Sequence, residues 1–230
     1  MILALSPHLD DVVFCCGGYL YERAREGRRV QCLTVFTQTV AELSPFALAC
    51  RLDKGLDGRV DYMALRRAED REVCHILGIQ PAHWPYAEAP HRGYVSAPDL
   101  FAGIHGDDPL DTATLTDDLR RYLVASGVSE VLYPFGAGNH VDHLQLIAAV
   151  ERIRPDFPEV WFRRYYDMPY AARFRQRYPE LGVAVPGISL DATTQRQKMQ
   201  ACLAYATQIG FQFGSPEGME ALLGREEYLV

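Results

Sequence analysis

The 230-residue sequence has no run of 18 or more apolar residues, so no segment reads as a membrane-spanning helix. It has no surplus of positive charge: 23 Lys and Arg stand against 30 Asp and Glu, a net of −7. Nucleic acid and anionic membranes reward surplus Lys and Arg, so neither is expected as a partner. None of the six cysteines (Cys15, Cys16, Cys32, Cys50, Cys74, Cys202) has CxxC spacing. Cys15 and Cys16 are adjacent on a helix pattern and point different ways, so buried free thiols are expected rather than a disulfide scaffold. Gly-x-Gly-x-x-Gly is missing as well; Gly17-Gly18 lies inside a helix pattern and reads as close packing. Repeats, linkers and low-complexity runs are lacking. The N-terminus has neither the basic start nor the apolar core of a signal peptide, because Asp10 and Asp11 interrupt it. The expectation is a cytoplasmic protein forming one domain over residues 1–230, a size that α/β domains reach.

What the sequence does have is alternation between buried strands and amphipathic helices, and its 48% hydrophobic content supplies a sizeable core. Ile2 to Leu5 reads as a buried strand, Val12 to Glu26 as a helix ending near Gly27, and Arg29 to Thr37 as a second strand. That spacing is a βαβ unit with parallel, neighbouring strands. Tyr62 to Leu77 is an amphipathic helix stopped at Gly78, and His83 to Tyr86 is a short strand. Thr112 to Ser126 reads as a helix with a threonine cap, Glu130 to Pro134 as a strand, and a helix follows to about Ile153. Aromatic and β-branched content suggests a strand at Val160 to Tyr166. A last strand is expected near Val183 to Val185 and Ile188 to Leu190, then a helix from Ala192 to Thr207 and one more at Met219 to Leu223. The fold class is α/β: a Rossmann-like, mostly parallel sheet with helices on both faces. Two long loops, 38–61 and 87–109, follow no periodicity and are expected to rim a site.

Two loops repeat one event. A hydrophobic strand ends, a polar loop carries His and Asp, and a helix begins. The first loop gives His8, Asp10 and Asp11; the second gives His140, Asp142 and His143. Open α/β sheets keep their sites at the carboxyl ends of strands, where neighbouring loops part. If the first and fourth strands adjoin, the two clusters meet. Imidazole and carboxylate groups this close suit a metal ion with an open coordination position. His8 and Asp11 are the first candidate ligands, with Asp10 as a base beside them. For either loop alone a helix N-cap is the bland reading; two such loops favour the metal site.

Pro7-His8-Leu9-Asp10-Asp11 resembles the His-Pro-Asp-Asp motif of the LmbE/PIG-L family of zinc-dependent N-deacetylases, and His140-Val141-Asp142-His143 resembles its His-x-Asp-His motif. The resemblance covers roughly the first two-thirds of the chain, including Arg66-x-x-Glu69 on the helix that closes at Gly78. It implies that His8, Asp11 and His143 bind one Zn2+ (another divalent metal being possible) and that Asp10 is the general base. It also implies that His140 faces the developing oxyanion or the leaving amine, while Asp142 orients or tunes a neighbouring histidine. Two residues from His140, Asp142 is expected to hold that imidazole protonated. Leu9 stands where the family has proline, and Val12 where a glutamate is common. Arg66 and Arg92 are candidate substrate contacts. The bland alternatives are an Arg66–Glu69 pair on a solvated face and a surface Arg92. Trp84, Tyr86 and Tyr94 could stack on a sugar but more often belong to a core. His75, His83 and His105 read as structural or exposed, and His91 as a possible pocket residue.

The function implied is removal of an acetyl group from a small N-acetylated substrate, an N-acetylglucosamine conjugate first of all. The alternatives are a zinc amidase for a non-sugar amide and a non-catalytic ligand-binding module on the same fold.

Overall fold

In the computed structural model, which describes residues 1–57, 59–173 and 187–230, strand β1 (Ile2–Ser6) is buried at every position. Its side chains alternate between the two faces of the sheet: Ile2 and Ala4 join one core, Leu3 and Leu5 the other. A strand apolar on both faces belongs in the middle of a parallel sheet covered on both sides. β1 lies there, flanked by β2 (Val30–Thr34) and β4 (Glu130–Pro134), with β3 (Gln80–His83) and β5 (Trp161–Tyr165) at the edges. The order is β3-β2-β1-β4-β5 and every pairing is parallel. Helices α1 (Asp11–Arg25), α3 (Tyr62–Leu77) and α8 (Ala192–Leu203) build one core; α5 (Thr112–Ser126) and α6 (Val141–Ile153) build the other.

Several expectations shift in detail. The strand expected at His83 to Tyr86 is Gln80–His83, because an edge strand tolerates Pro81, while the aromatic stretch beyond it makes only one isolated bridge, Phe36 to Pro85. The cap of α5 is Asp111, which accepts from the Ala113 N–H, and Thr112 is the first helical residue. Loop 38–61 holds a complete helix, α2 (Pro45–Leu52), capped by Ser44. Loop 87–109 holds a 3₁₀ turn, Ala89–His91, and the short helix α4 (Ala97–Leu100). After β5 comes α7 (Tyr170–Arg173); Val183 to Val185 lies outside the described residues. The helix expected over 192–207 ends at Leu203, and α9 (Ala206–Phe213) and α10 (Pro216–Leu223) follow. Among the described residues no helix is long and apolar enough to cross a membrane, and all six cysteines are free thiols.

The chain's end clamps its beginning. β6 (Ile188–Ser189) pairs antiparallel with β7 (Glu226–Glu227) beside α1. Helix α1 is broken at Cys16 (φ −144°, ψ 24°), which frees the N–H groups that follow. Those of Gly18 and Tyr19 donate to Glu227 at 2.8 and 2.7 Å, and Lys198 Nζ lies 2.8 Å from the same carboxylate. The close-packing reading of Gly18 holds: a Cβ there would sit 2.7 Å from Leu190 and 3.0 Å from Glu227. Glu227→Leu would strand a buried lysine and two N–H groups, for a loss of about 3–5 kcal/mol. Thermal or denaturant unfolding should show that loss; a change below about 1 kcal/mol would mean that the pair carries no net stability.

Candidate active site

Because β1 and β4 are neighbours, the loops that leave their carboxyl ends open onto one crevice. His8, Asp10 and Asp11 come from the first. The second turns through Gly136, Gly138 and Asn139, all at positive φ, before His140 caps α6. Glycine takes that conformation without a Cβ penalty, so the tight return that aims His140 and His143 inward needs it.

Asp11 Oδ2 lies 3.2 Å from His8 Nδ1 and 3.3 Å from His143 Nε2. With metal–ligand bonds of about 2.0–2.1 Å, tetrahedral ligands are about 3.3 Å apart, so both separations from Asp11 are those expected of ligands sharing one metal ion. His8, His140 and His143 also bring ligand atoms within 4.8 Å of one another. The outer nitrogens decide which atom of each ring faces inward. His143 Nδ1 lies 2.6 Å from Asp167, and His8 Nε2 lies 2.9 Å from Asp142. Each carboxylate accepts a ring proton, which leaves the other nitrogen of each ring as the one available to a metal. His143 Nε2 is buried and makes no hydrogen bond with any described residue. The charge balance agrees. Burial opposes charge on both imidazoles, yet the neighbouring carboxylates push His143 up to about 9 and His8 well above its usual range. Burial likewise opposes charge on Asp11, yet His143 and His8 hold it well below the carboxylate range. A cluster that favours positive charge at this point suits a cation there.

His140 behaves differently. Its Nδ1 accepts from the Asp142 backbone N–H at 3.2 Å, so the neutral ring carries its proton on Nε2. Burial and the nearby His8 lower its pKa to about 3. The expectation that Asp142 keeps His140 protonated is therefore overturned: the Asp142 carboxylate is directed to His8 and Arg92, and desolvation prevails at His140. Asp142 itself is fully buried and does not line the cavity; its side chain meets His8 and Arg92 instead.

Asp10 points the other way, toward α3. Arg66 Nη2 lies 3.3 Å from Asp10 Oδ2, and Arg66 Nη1 donates to Glu88 at 2.7 Å. Burial pushes Asp10 up to about 6 against the pull of Arg66. Glu69 is not the partner of Arg66; it caps α9 by accepting from Thr207 N and Oγ1. Leu9, the departure from the family motif, packs on Tyr62 and Met63 and holds α3 against this loop.

A cavity of about 230 Å³ opens over His8, Asp10, Asp11, Arg66, Glu88 and His140. Both long loops contribute, the first through Val40, Leu43 and Phe46 and the second through His91, Leu100 and Phe101, and Phe211 comes from α9. Arg92 is not at this cavity. Its guanidinium is directed to Asp108, the Ala87 carbonyl and Asp142, which corrects its expected substrate contact. Tyr94 is buried against His105, and Trp84 and Tyr86 line a separate cleft, so none of the three faces the site. His83 pairs with Asp70 and His105 with Asp99. Sequence reasoning missed Asp167 and Glu88. Asp167 sits two residues past β5, at the same sheet edge as the two motifs, and that position was the available signal.

Comparison with known proteins agrees with this geometry. The family model described as GlcNAc-PI de-N-acetylase (PIG-L) matches residues 3–153. The chain belongs to this family. It is accordingly an N-deacetylase, with the motif loops, α3 and α6 inside the matched span. A 2'-N-acetylparomamine deacetylase from Streptomyces fradiae is 30% identical over 214 residues, spanning 90% of this chain and 72% of that protein. Among solved structures, the zinc-inhibited form of teicoplanin deacetylase Orf2 superposes with a TM-score of 0.82 at 25% identity, covering 99% of this chain and 96% of that one. The A40926 pseudoaglycone deacetylase Dbv21 gives 0.74 at 29% identity, covering 91% and 82%.

Asp167 also accepts from the backbone N–H groups of Gly136 and Ala137, so it fixes the His143 ring and the β4 loop together. Asp167→Asn should weaken metal binding about 10- to 100-fold in chelator competition. Unchanged affinity would remove Asp167 from the site's support.

Proposed function

We propose that this PIG-L family deacetylase hydrolyses the acetamide of an N-acetylated amino-sugar conjugate and releases acetate, with Zn2+ held by His8, Asp11 and His143. The observation that carries this reading is Asp11 Oδ2 standing 3.2 Å from His8 Nδ1 and 3.3 Å from His143 Nε2, beside the buried carboxylate of Asp10. Zn2+ held by these residues would supply Lewis-acid polarisation of the amide carbonyl and activation of the attacking water. Asp10 takes the proton from the attacking water; its Oδ2 is buried and accepts no hydrogen bond from a described residue. Arg66, itself fixed by Glu88, holds Asp10 in place and favours its ionised form. His140 donates from Nε2 to the developing oxyanion, a contact worth about 3 kcal/mol, and as a neutral ring it needs no charge to do so.

The substrate class draws on the named relatives, described as deacetylases of 2'-N-acetylparomamine and of the A40926 pseudoaglycone. The cavity leaves room beyond an acetyl group, and the aromatic faces of Phe46, Phe101 and Phe211 suit the C–H face of a sugar ring. The reading extends to a cytoplasmic site of action, which the free thiols suit.

Acetate release from N-acetylglucosamine conjugates should stop when a chelator removes the metal and return when Zn2+ is restored. Asp10→Asn should lower kcat about 10²- to 10⁴-fold at normal zinc content. Acetate release that ignores the chelator sinks the zinc mechanism, and zinc loss in Asp10→Asn makes Asp10 a ligand instead of a base.

The pH dependence follows from Asp10, which must be ionised to act. Activity should therefore rise with pH through an acid limb no higher than about 6, because a bound cation pulls the carboxyl further down. Arg66 lowers Asp10, so Arg66→Met should move that limb to higher pH. A limb that stays in place or moves down separates Arg66 from the base.

A further inference from the structure

Arg92 is buried at 6% exposure and stands one residue chain behind the cavity, so its charge answers to other protein groups. Its Nε and Nη2 meet the two oxygens of Asp108 at 2.9 and 3.1 Å, a fork that fixes the guanidinium plane. Asp108 is itself held, accepting from the Leu110 N–H at 2.9 Å, the Tyr94 hydroxyl at 3.0 Å and Gln145 Nε2 at 3.3 Å. The remaining arm, Nη1, donates to the Ala87 carbonyl at 2.6 Å and forms an ion pair at 2.7 Å with Asp142 Oδ1, a buried oxygen that accepts no hydrogen bond from a described residue. Asp142 thus has its two oxygens divided: Oδ1 faces Arg92, while Oδ2 faces His8 Nε2 at 2.9 Å and the Ala89 N–H at 3.1 Å.

We propose that Arg92 is a positioning residue for His8: by holding Asp142 Oδ1 it presents Oδ2 to His8 Nε2, and Asp108 holds Arg92 in turn. The inference rests on the reading of His8 as a metal ligand through Nδ1. A ligating imidazole needs its other nitrogen's proton held by a fixed acceptor, since that acceptor sets both tautomer and ring plane. A carboxylate bonded only on its Oδ2 side can turn about its Cβ–Cγ bond and carry the imidazole with it. The fork on Asp108 removes that freedom. Lysine keeps the charge but has no planar fork, so it cannot replace arginine here.

Competition between the protein and a chromogenic chelator for Zn2+ tests this without reference to turnover. Arg92→Lys and Arg92→Met should bind zinc about 10- to 100-fold more weakly. Asp108→Asn should move the same way by less. Glu227→Leu, which removes the clamp on Gly18 and Tyr19 and touches none of the candidate ligands, should bind zinc as the wild type does. Zinc-loaded Arg92→Lys should keep its KM, because Arg92 does not border the cavity. Wild-type zinc affinity in folded Arg92→Lys overturns the proposal. So does an equal loss in Glu227→Leu, which makes the effect one of general softening. Should Arg92→Met not fold, Arg92→Lys and Asp108→Asn decide. If His8→Ala binds zinc as tightly as the wild type, the ligand assignment itself fails, whatever Arg92 does.

Discussion

Parallel pairing between β1 and β4 is the constraint on which the site depends. Ile2, Leu3 and Ala4 run in register with Glu130, Val131 and Leu132, so the two strands finish level and their polar loops face each other. Neither loop is a site by itself: the first lacks His143, and the second lacks Asp10 and Asp11. The neighbours of this pair serve it. β2 and α3 bring Arg66 to Asp10, and β5 brings Asp167 to His143.

Around that crevice the charges alternate in sign. Asp108, Arg92, Asp142 and His8 form one chain, Asp11, His143 and Asp167 another, and Glu88, Arg66 and Asp10 a third. Burying so many charges costs stability, and such networks are repaid only when every member has a partner of good geometry. Here most are held by two or more. What they hold is orientation: His8 meets Asp142 and His143 meets Asp167 through one ring nitrogen each, while the other ring nitrogen faces Asp11.

Much of this was legible from the chain itself. The buried runs Ile2 to Leu5 and Glu130 to Pro134, each stopping at a His- and Asp-bearing loop before a helix, are local signals of period and punctuation. They indicated the α/β class, the sheet edge and the two motifs that the PIG-L match bears out. Which histidine Asp142 meets and where Arg92 points were not legible, because a guanidinium in a loop has the same local signature whether it meets substrate or a carboxylate far along the chain. Asp167 was missed for the same reason: one aspartate after a strand carries no spacing to read. The edge strand at Gln80–His83 was displaced because Pro81 looks like a breaker until its open side is known.

The sequence by itself determined which residue types stand at the ends of which strands, since hydrophobic period and loop chemistry are properties of neighbouring residues. Only the tertiary structure decided their division of labour. Whether His140 is charged, which oxygen of Asp142 meets which partner, and where Arg66 and Arg92 point all depend on burial and on groups far away in the chain. Desolvation and pairing are properties of the packed molecule, and no local pattern encodes them.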